Sequence, residues 1–158
     1  MTQIAIGKKV PDFTAPTTSD DAFRLSEHRG KIVVLYFYPK DSTPGCTLES
    51  QDFRDLHAKF KRAGAVIYGI SRDSIKSHEK FKCAQEMPFE LISDADEQLC
   101  TLFDVIRMKN MYGKQVRGIE RSTFLIDAEG KLHQEWRKVK VENHAAEVLE
   151  AVKALAKE

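Results

Sequence analysis

The sequence predicts one α/β domain with a mixed central β-sheet flanked by helices, and three observations carry that prediction. Short β-branched and aromatic runs alternate with stretches whose apolar residues recur at helical spacing. The most apolar of the runs is apolar on both faces, as a central strand covered on two sides must be. A turn signal joins the last two strand-like runs into an antiparallel hairpin, so the sheet is mixed rather than all parallel.

Taken in order, residues 31–38 (KIVVLYFY) form that central strand. Residues 44–62 carry Leu48, Phe53, Leu56 and Phe60 at helical spacing, open on Pro44 and stop before Gly64. Residues 65–71 (AVIYGIS) are a second strand, and 74–85 a helix that begins on a capping Ser74. A short strand at 89–92 and a short helix at 96–103 follow. The hairpin pairs 123–127 (TFLID) with 131–139 around the DAEG turn at 127–130. The last helix shows an apolar stripe of Ala145, Val148, Leu149, Val152, Leu155 and Ala156, with Asn143 as its N-cap.

The chain has 158 residues and no internal repeat or Pro/Gly/Ser-rich linker, so residues 1–158 read as a single unit. Hydrophobic residues are 42% and charged residues 31%, which excludes a disordered chain. Lys plus Arg number 25 against 24 Asp plus Glu, which gives no global pull toward nucleic acid or an anionic membrane. The longest unbroken apolar run, 32–38, is far short of the roughly 20 residues of a membrane helix. The N-terminal residues hold no secretory apolar segment, so the expected compartment is the cytoplasm, where thiols stay reduced. Three cysteines are too few for a disulfide framework, and each is either buried and inert or chemically used. No strongly apolar surface element is evident, so a monomer is expected.

Residues 38–49 (YPKDSTPGCTLE) run from a strand end through a polar loop into a helix start. Pro44 suits the first helical turn, which places Cys46 in that turn. Unpaired backbone N–H groups and the helix dipole there favour a thiolate over a thiol. Arg121, just before the TFLID strand, is the candidate for a second positive charge, because a strand paired beside the first would bring it to the site. Plainer readings exist for each residue. Cys46 fills a helix start, Thr43 is a cap, Arg121 pairs with Glu120 on the surface, and Pro39 ends a strand. Glu49, one turn beyond Cys46, is placed to hold Arg121 or simply to answer the dipole.

Pro39, Thr43 and Cys46 stand as P-x-x-x-T-x-x-C, which resembles the peroxidatic motif of the peroxiredoxins. The segment TPGCT at 43–47 and RSTFLID from Arg121 resemble the bacterioferritin comigratory protein subfamily, also called peroxiredoxin Q. The similarity runs from PDF at 11–13 to the final helix. The resemblance implies a thioredoxin-like fold and a peroxidase acting on hydrogen peroxide and organic hydroperoxides, with thioredoxin as electron donor. It implies that Cys46 is the peroxidatic cysteine, oxidised to a sulfenic acid. Thr43 would then offer its hydroxyl to thiolate and peroxide, Arg121 would stabilise the thiolate and orient the peroxide, and Pro39 would wall the pocket. No metal, flavin or nicotinamide is implied.

Many subfamily members carry a second cysteine five residues after the first, but position 51 here is Gln. Some relatives place the resolving cysteine in the next helix, about where Cys83 stands, so the resemblance implies a Cys46–Cys83 disulfide within one chain. A one-cysteine enzyme reduced by an external thiol is the alternative, and a non-enzymatic redox sensor or holdase is the reading of a different class. Cys83 lies beside Lys82 and near Lys80, a cationic setting, whereas Cys100 between Leu99 and Leu102 reads as core. A disulfide needs Cα atoms within about 7 Å, so local unwinding at Cys46, Cys83 or both is expected on oxidation. The five histidines show no close metal-site spacing, and there is no C-x-x-C dithiol. Residues 105–119 hold Arg107, Lys109, Lys114 and Arg117 and no acid, and read as a solvated loop, with a docking surface as the alternative.

Overall fold

A computed structural model describes residues 4–157; positions 1–3 and 158 of the expected single unit lie outside the described residues. Among the described residues seven strands form one sheet, in the order β2 (Asp21–Arg24), β1 (Thr14–Thr17), β5 (Leu91–Ser93), β4 (Ala65–Ser71), β3 (Ile32–Phe37), β8 (Ser122–Ile126) and β9 (Leu132–Trp136). In the sheet's interior β3 (Ile32–Phe37) is buried along its whole length. It pairs in parallel with β4 (Ala65–Ser71) and antiparallel with β8 (Ser122–Ile126). Because side chains alternate along a strand, β3 feeds two cores. Val34 and Tyr36 point to one face, where they meet Phe53 and Phe60 of α1 (Pro44–Arg62), Phe81 of α2 (Ile75–Ala84) and Val148 and Val152 of α4 (His144–Ala156). Val33, Leu35 and Phe37 point to the other, against Phe13, Phe23, Phe103 and Phe124.

The expected elements are present with shifted ends. The short strand is β5 (Leu91–Ser93), and the third helix is α3 (Gln98–Leu102), which starts late because Glu97 is left-handed at φ 61°. Ser74 caps α2, its side chain accepting from the Ser77 N–H at 3.1 Å. The hairpin of β8 and β9 (Leu132–Trp136) is antiparallel as expected. Asn143 takes the N-cap position of α4 as expected, but its backbone is left-handed at φ 61° and its side chain makes no cap bond. A capping side chain normally reaches back from extended backbone.

Two hairpins stand outside the expected elements. One is β1 (Thr14–Thr17) with β2 (Asp21–Arg24), joined to the sheet edge through β5. The other corrects the solvated-loop reading of 105–119. That segment is an antiparallel ribbon of β6 (Ile106–Met111) and β7 (Lys114–Ile119), outside the main sheet. Its two-residue turn, Tyr112-Gly113, has positive φ at both positions (53° and 79°), the conformation that matches the twist of a tight hairpin. No helix among the described residues is long and apolar enough to cross a membrane.

Candidate active site

The parallel β3–α1–β4 connection places the first turn of α1 at the carboxyl end of the central strand, where open α/β sheets gather their sites. Cys46 is the third residue of α1 and is fully buried. Antiparallel pairing sets Ser122 of β8 opposite Phe37, so Arg121, one residue earlier, lies just past the end of β3. From there its Nη2 donates to Cys46 Sγ at 3.4 Å, and its Nη1 to Glu49 Oε1 at 2.6 Å. Gly45 makes room for this approach, since a Cβ there would stand 3.1 Å from Nη2. The expectation that Glu49 holds Arg121, and that a strand beside the first brings Arg121 to Cys46, matches this geometry.

Glu49 is 1% exposed and its second oxygen, Oε2, is buried without a hydrogen-bond partner among the described residues. Burial outweighs the pull of Arg121 and raises the Glu49 carboxyl to about 7. On Arg121 burial works against the charge, but Glu49 and then Cys46 outweigh it and raise the guanidinium further above its ordinary value. The nearby His144 imidazole is pushed down to about 4 by burial and then by Arg121, so it is neutral at pH 7. Its Nε2 shares a 2.7 Å hydrogen bond with the Thr123 hydroxyl. Arg121 is thus the cation at the sulfur.

Thr43 occupies the N-cap position of α1 without capping it, so the cap reading of its side chain fails. Its hydroxyl donates instead to the Lys40 carbonyl at 2.9 Å, and no hydrogen bond of the described residues joins it to Cys46. Pro39 and Arg121 together line an open groove of about 710 Å³, whose far wall is the ribbon at Arg107, Met108 and Lys109. Cys46 lies behind them, in the core.

The three cysteines are unbonded, and their settings differ. Cys83 is exposed on α2. Cys100 is buried, as expected of a core residue; burial and then the Asp94 carboxyl push its thiol well above the usual range. Gln51, at the position noted above, donates to the Gln85 side chain at 2.8 Å and ties α1 to the end of α2. Sequence reasoning missed a second polar cluster beside the loop. The Tyr38 hydroxyl donates to Asp41 Oδ1 at 2.6 Å, and His78 Nδ1 lies 2.7 Å from Asp41 Oδ2. Asp41, Asp73 and His78 bring one ligand-type atom each within 4.8 Å of one another. The cluster's one sequence signal is that Tyr38 and Asp41 lie three residues apart in the site loop.

The AhpC/TSA family matches over residues 6–135. Peroxiredoxin Bcp of Xanthomonas campestris is 60% identical over 134 residues, 85% of this chain and 84% of the relative. Peroxiredoxin Bcp of Bacillus subtilis is 50% identical over 153 residues, 97% of this chain and 98% of the relative. Among solved structures, one concerning alkyl peroxide reduction by the Xanthomonas campestris bacterioferritin comigratory protein superposes with a TM-score of 0.90 at 52% identity, over 96% of this chain and 99% of that one.

Proposed function

The chain belongs to the AhpC/TSA family and is a peroxiredoxin, a thiol-dependent peroxidase of thioredoxin-like fold, and from that premise we propose its catalytic cycle. Cys46 is the nucleophile. Its thiolate attacks one oxygen of a hydroperoxide, the O–O bond breaks, and the alcohol or water leaves with a proton from solvent, so that Cys46 becomes a sulfenic acid. The observation that carries this reading is the Arg121 guanidinium, 3.4 Å from Sγ and locked by Glu49. The same donor that stabilises the thiolate is positioned to meet charge developing on the departing oxygen. Thr43 contributes a second donor once its hydroxyl turns from the Lys40 carbonyl, and Pro39 shields the sulfenic acid from the groove.

The Cys83 thiol then attacks the Cys46 sulfur, expelling water and leaving a Cys46–Cys83 disulfide. One sulfur is in the core and the other faces solvent, so the first turn of α1, or α2, unwinds for the bond to form. A dithiol reductant of the thioredoxin type reopens it by two exchange steps. The substrates we assign are hydrogen peroxide and organic hydroperoxides, and the working form a cytoplasmic monomer. Peroxide turnover with thioredoxin and its reductase tests the cycle. Cys46→Ser abolishes turnover. Cys83→Ser loses it while keeping one round of Cys46 oxidation; full turnover without Cys83 would transfer resolution to an external thiol.

A further inference from the structure

The polar cluster beneath the site loop joins the two segments that the proposed disulfide must bring together. Asp41 stands five residues before Cys46, and His78 five residues before Cys83. Asp41 is 5% exposed and His78 fully buried. His78 Nε2 lies 2.9 Å from the Ile92 carbonyl, which only accepts, so Nε2 carries a hydrogen. Nδ1 faces the Asp41 carboxylate, whose oxygens also accept from Tyr38 at 2.6 Å and Ser77 at 2.8 Å. The Asp41 N–H donates to Asp73 Oδ2 at 2.9 Å, and Asp73 sits at the approach to α2. A single carboxylate thus fastens the end of β3, the loop before Cys46 and the first turns of α2.

We propose that Asp41 and His78 are positioning residues: a buried latch that holds the Cys46 loop against α2 in the peroxide-reactive arrangement and parts before Cys83 reaches the oxidised sulfur. Pulling the loop away takes the carboxylate from Nδ1 of a fully buried ring, and that opposes unwinding. The latch therefore favours the first step, attack on peroxide, and opposes the second, resolution by Cys83. The inference rests on the Cys83 reading for its second half only.

Asp41→Ala removes the latch from the loop side, and Asp41→Asn keeps its shape, with an amide N–H that donates to Nδ1 of a neutral ring. Two quantities are followed after hydrogen peroxide: the rate of Cys46 oxidation, and the ratio of Cys46–Cys83 disulfide to Cys46 sulfinic acid. Asp41→Ala slows oxidation about tenfold and raises the disulfide share severalfold, while Asp41→Asn returns both most of the way. A merely structural residue would lower both steps together with the melting temperature, and that result, or two unchanged rates, overturns the latch. If the wild-type protein forms no linked peptide, the two-cysteine reading fails separately. The latch then stands if Asp41→Ala slows Cys46 oxidation and Asp41→Asn restores it, and falls otherwise.

Discussion

Two arginine–glutamate clamps, one at the site and one at the ribbon, have carboxyls shifted in opposite directions: burial raises one, and hydrogen bonds lower the other. At the site, Arg121 meets Glu49 at 2.6 Å with the carboxyl sealed from water. On the ribbon side, Arg117 Nη1 and Nη2 each donate to Glu97 at 2.6 Å, and Arg72 adds a third bond at 2.9 Å. Hydrogen bonds from Arg117 and then Arg72 hold the Glu97 carboxyl down at about 2, whereas burial lifts Glu49 to about 7. The ribbon clamp is a surface fastening that fixes β7 against the start of α3. The site clamp holds a groove-facing cation against a buried sulfur, and tolerates an ill-solvated carboxylate to do so.

That contrast breaks most visibly at Arg121. Arg121→Met lowers the rate of Cys46 oxidation about 10²–10³-fold, read by stopped-flow with hydrogen peroxide. Arg121→Lys recovers little, because one ammonium does not span both Glu49 and Cys46 as the fork does.

Glu49→Gln comes next, with a rate loss of about tenfold as Arg121 loses its anchor. It also sharpens the pH comparison. Below its ordinary 4.5 Glu49 is protonated in both folded and unfolded chains; between 4.5 and about 7 the fold keeps a proton that the unfolded chain releases. Its stabilising contribution is therefore present at low pH and lost as pH rises through about 7. Glu97 has the reverse sign: its contribution is present above 4.5 and lost as pH falls toward about 2. Melting temperatures across pH 4–8 should fall less steeply in Glu49→Gln than in the wild-type protein.

Gly45→Ala is smaller still. The added Cβ presses on the guanidinium from 3.1 Å, and Cys46 oxidation slows about two- to fivefold with the fold intact. Glu97→Gln leaves the peroxide rate within about twofold and instead loosens the ribbon, which trypsin then cuts faster at Lys114 or Arg117.

The sequence revealed the parts of the molecule governed by strong local signals. β3 is apolar at every position, α1 opens on a proline and stops before Gly64, and Arg121 lies one residue ahead of a β-branched strand; these place Cys46, Arg121 and Glu49 together. The ribbon was hidden because Arg107, Lys109, Asn110, Lys114, Gln115 and Arg117 dominate its strands, the alternation of Ile106 and Met108 with Arg107 and Lys109 stops at Asn110, and Tyr112 rather than a usual turn residue takes the left-handed position. β1 and β2 are four residues each, with Pro16 in the first, too short for a pattern. Asn143 holds the N-cap position its residue type suggests, but the type does not report that the backbone there is left-handed and the side chain unbonded. Asp41 and His78 are 37 positions apart, and only the packing of α2 under the loop brings them together.

The proposed cycle oxidises Cys46 and resolves it through Cys83. Intact mass and peptide mapping after one equivalent of hydrogen peroxide, with free thiols alkylated, tests it directly. The expected product has lost two hydrogens and yields a linked Cys46–Cys83 peptide, with Cys100 alkylated after unfolding. An alkylated Cys46 would contradict the assignment of the nucleophile, and a sulfenic or sulfinic Cys46 beside an alkylated Cys83 would contradict the resolving pair.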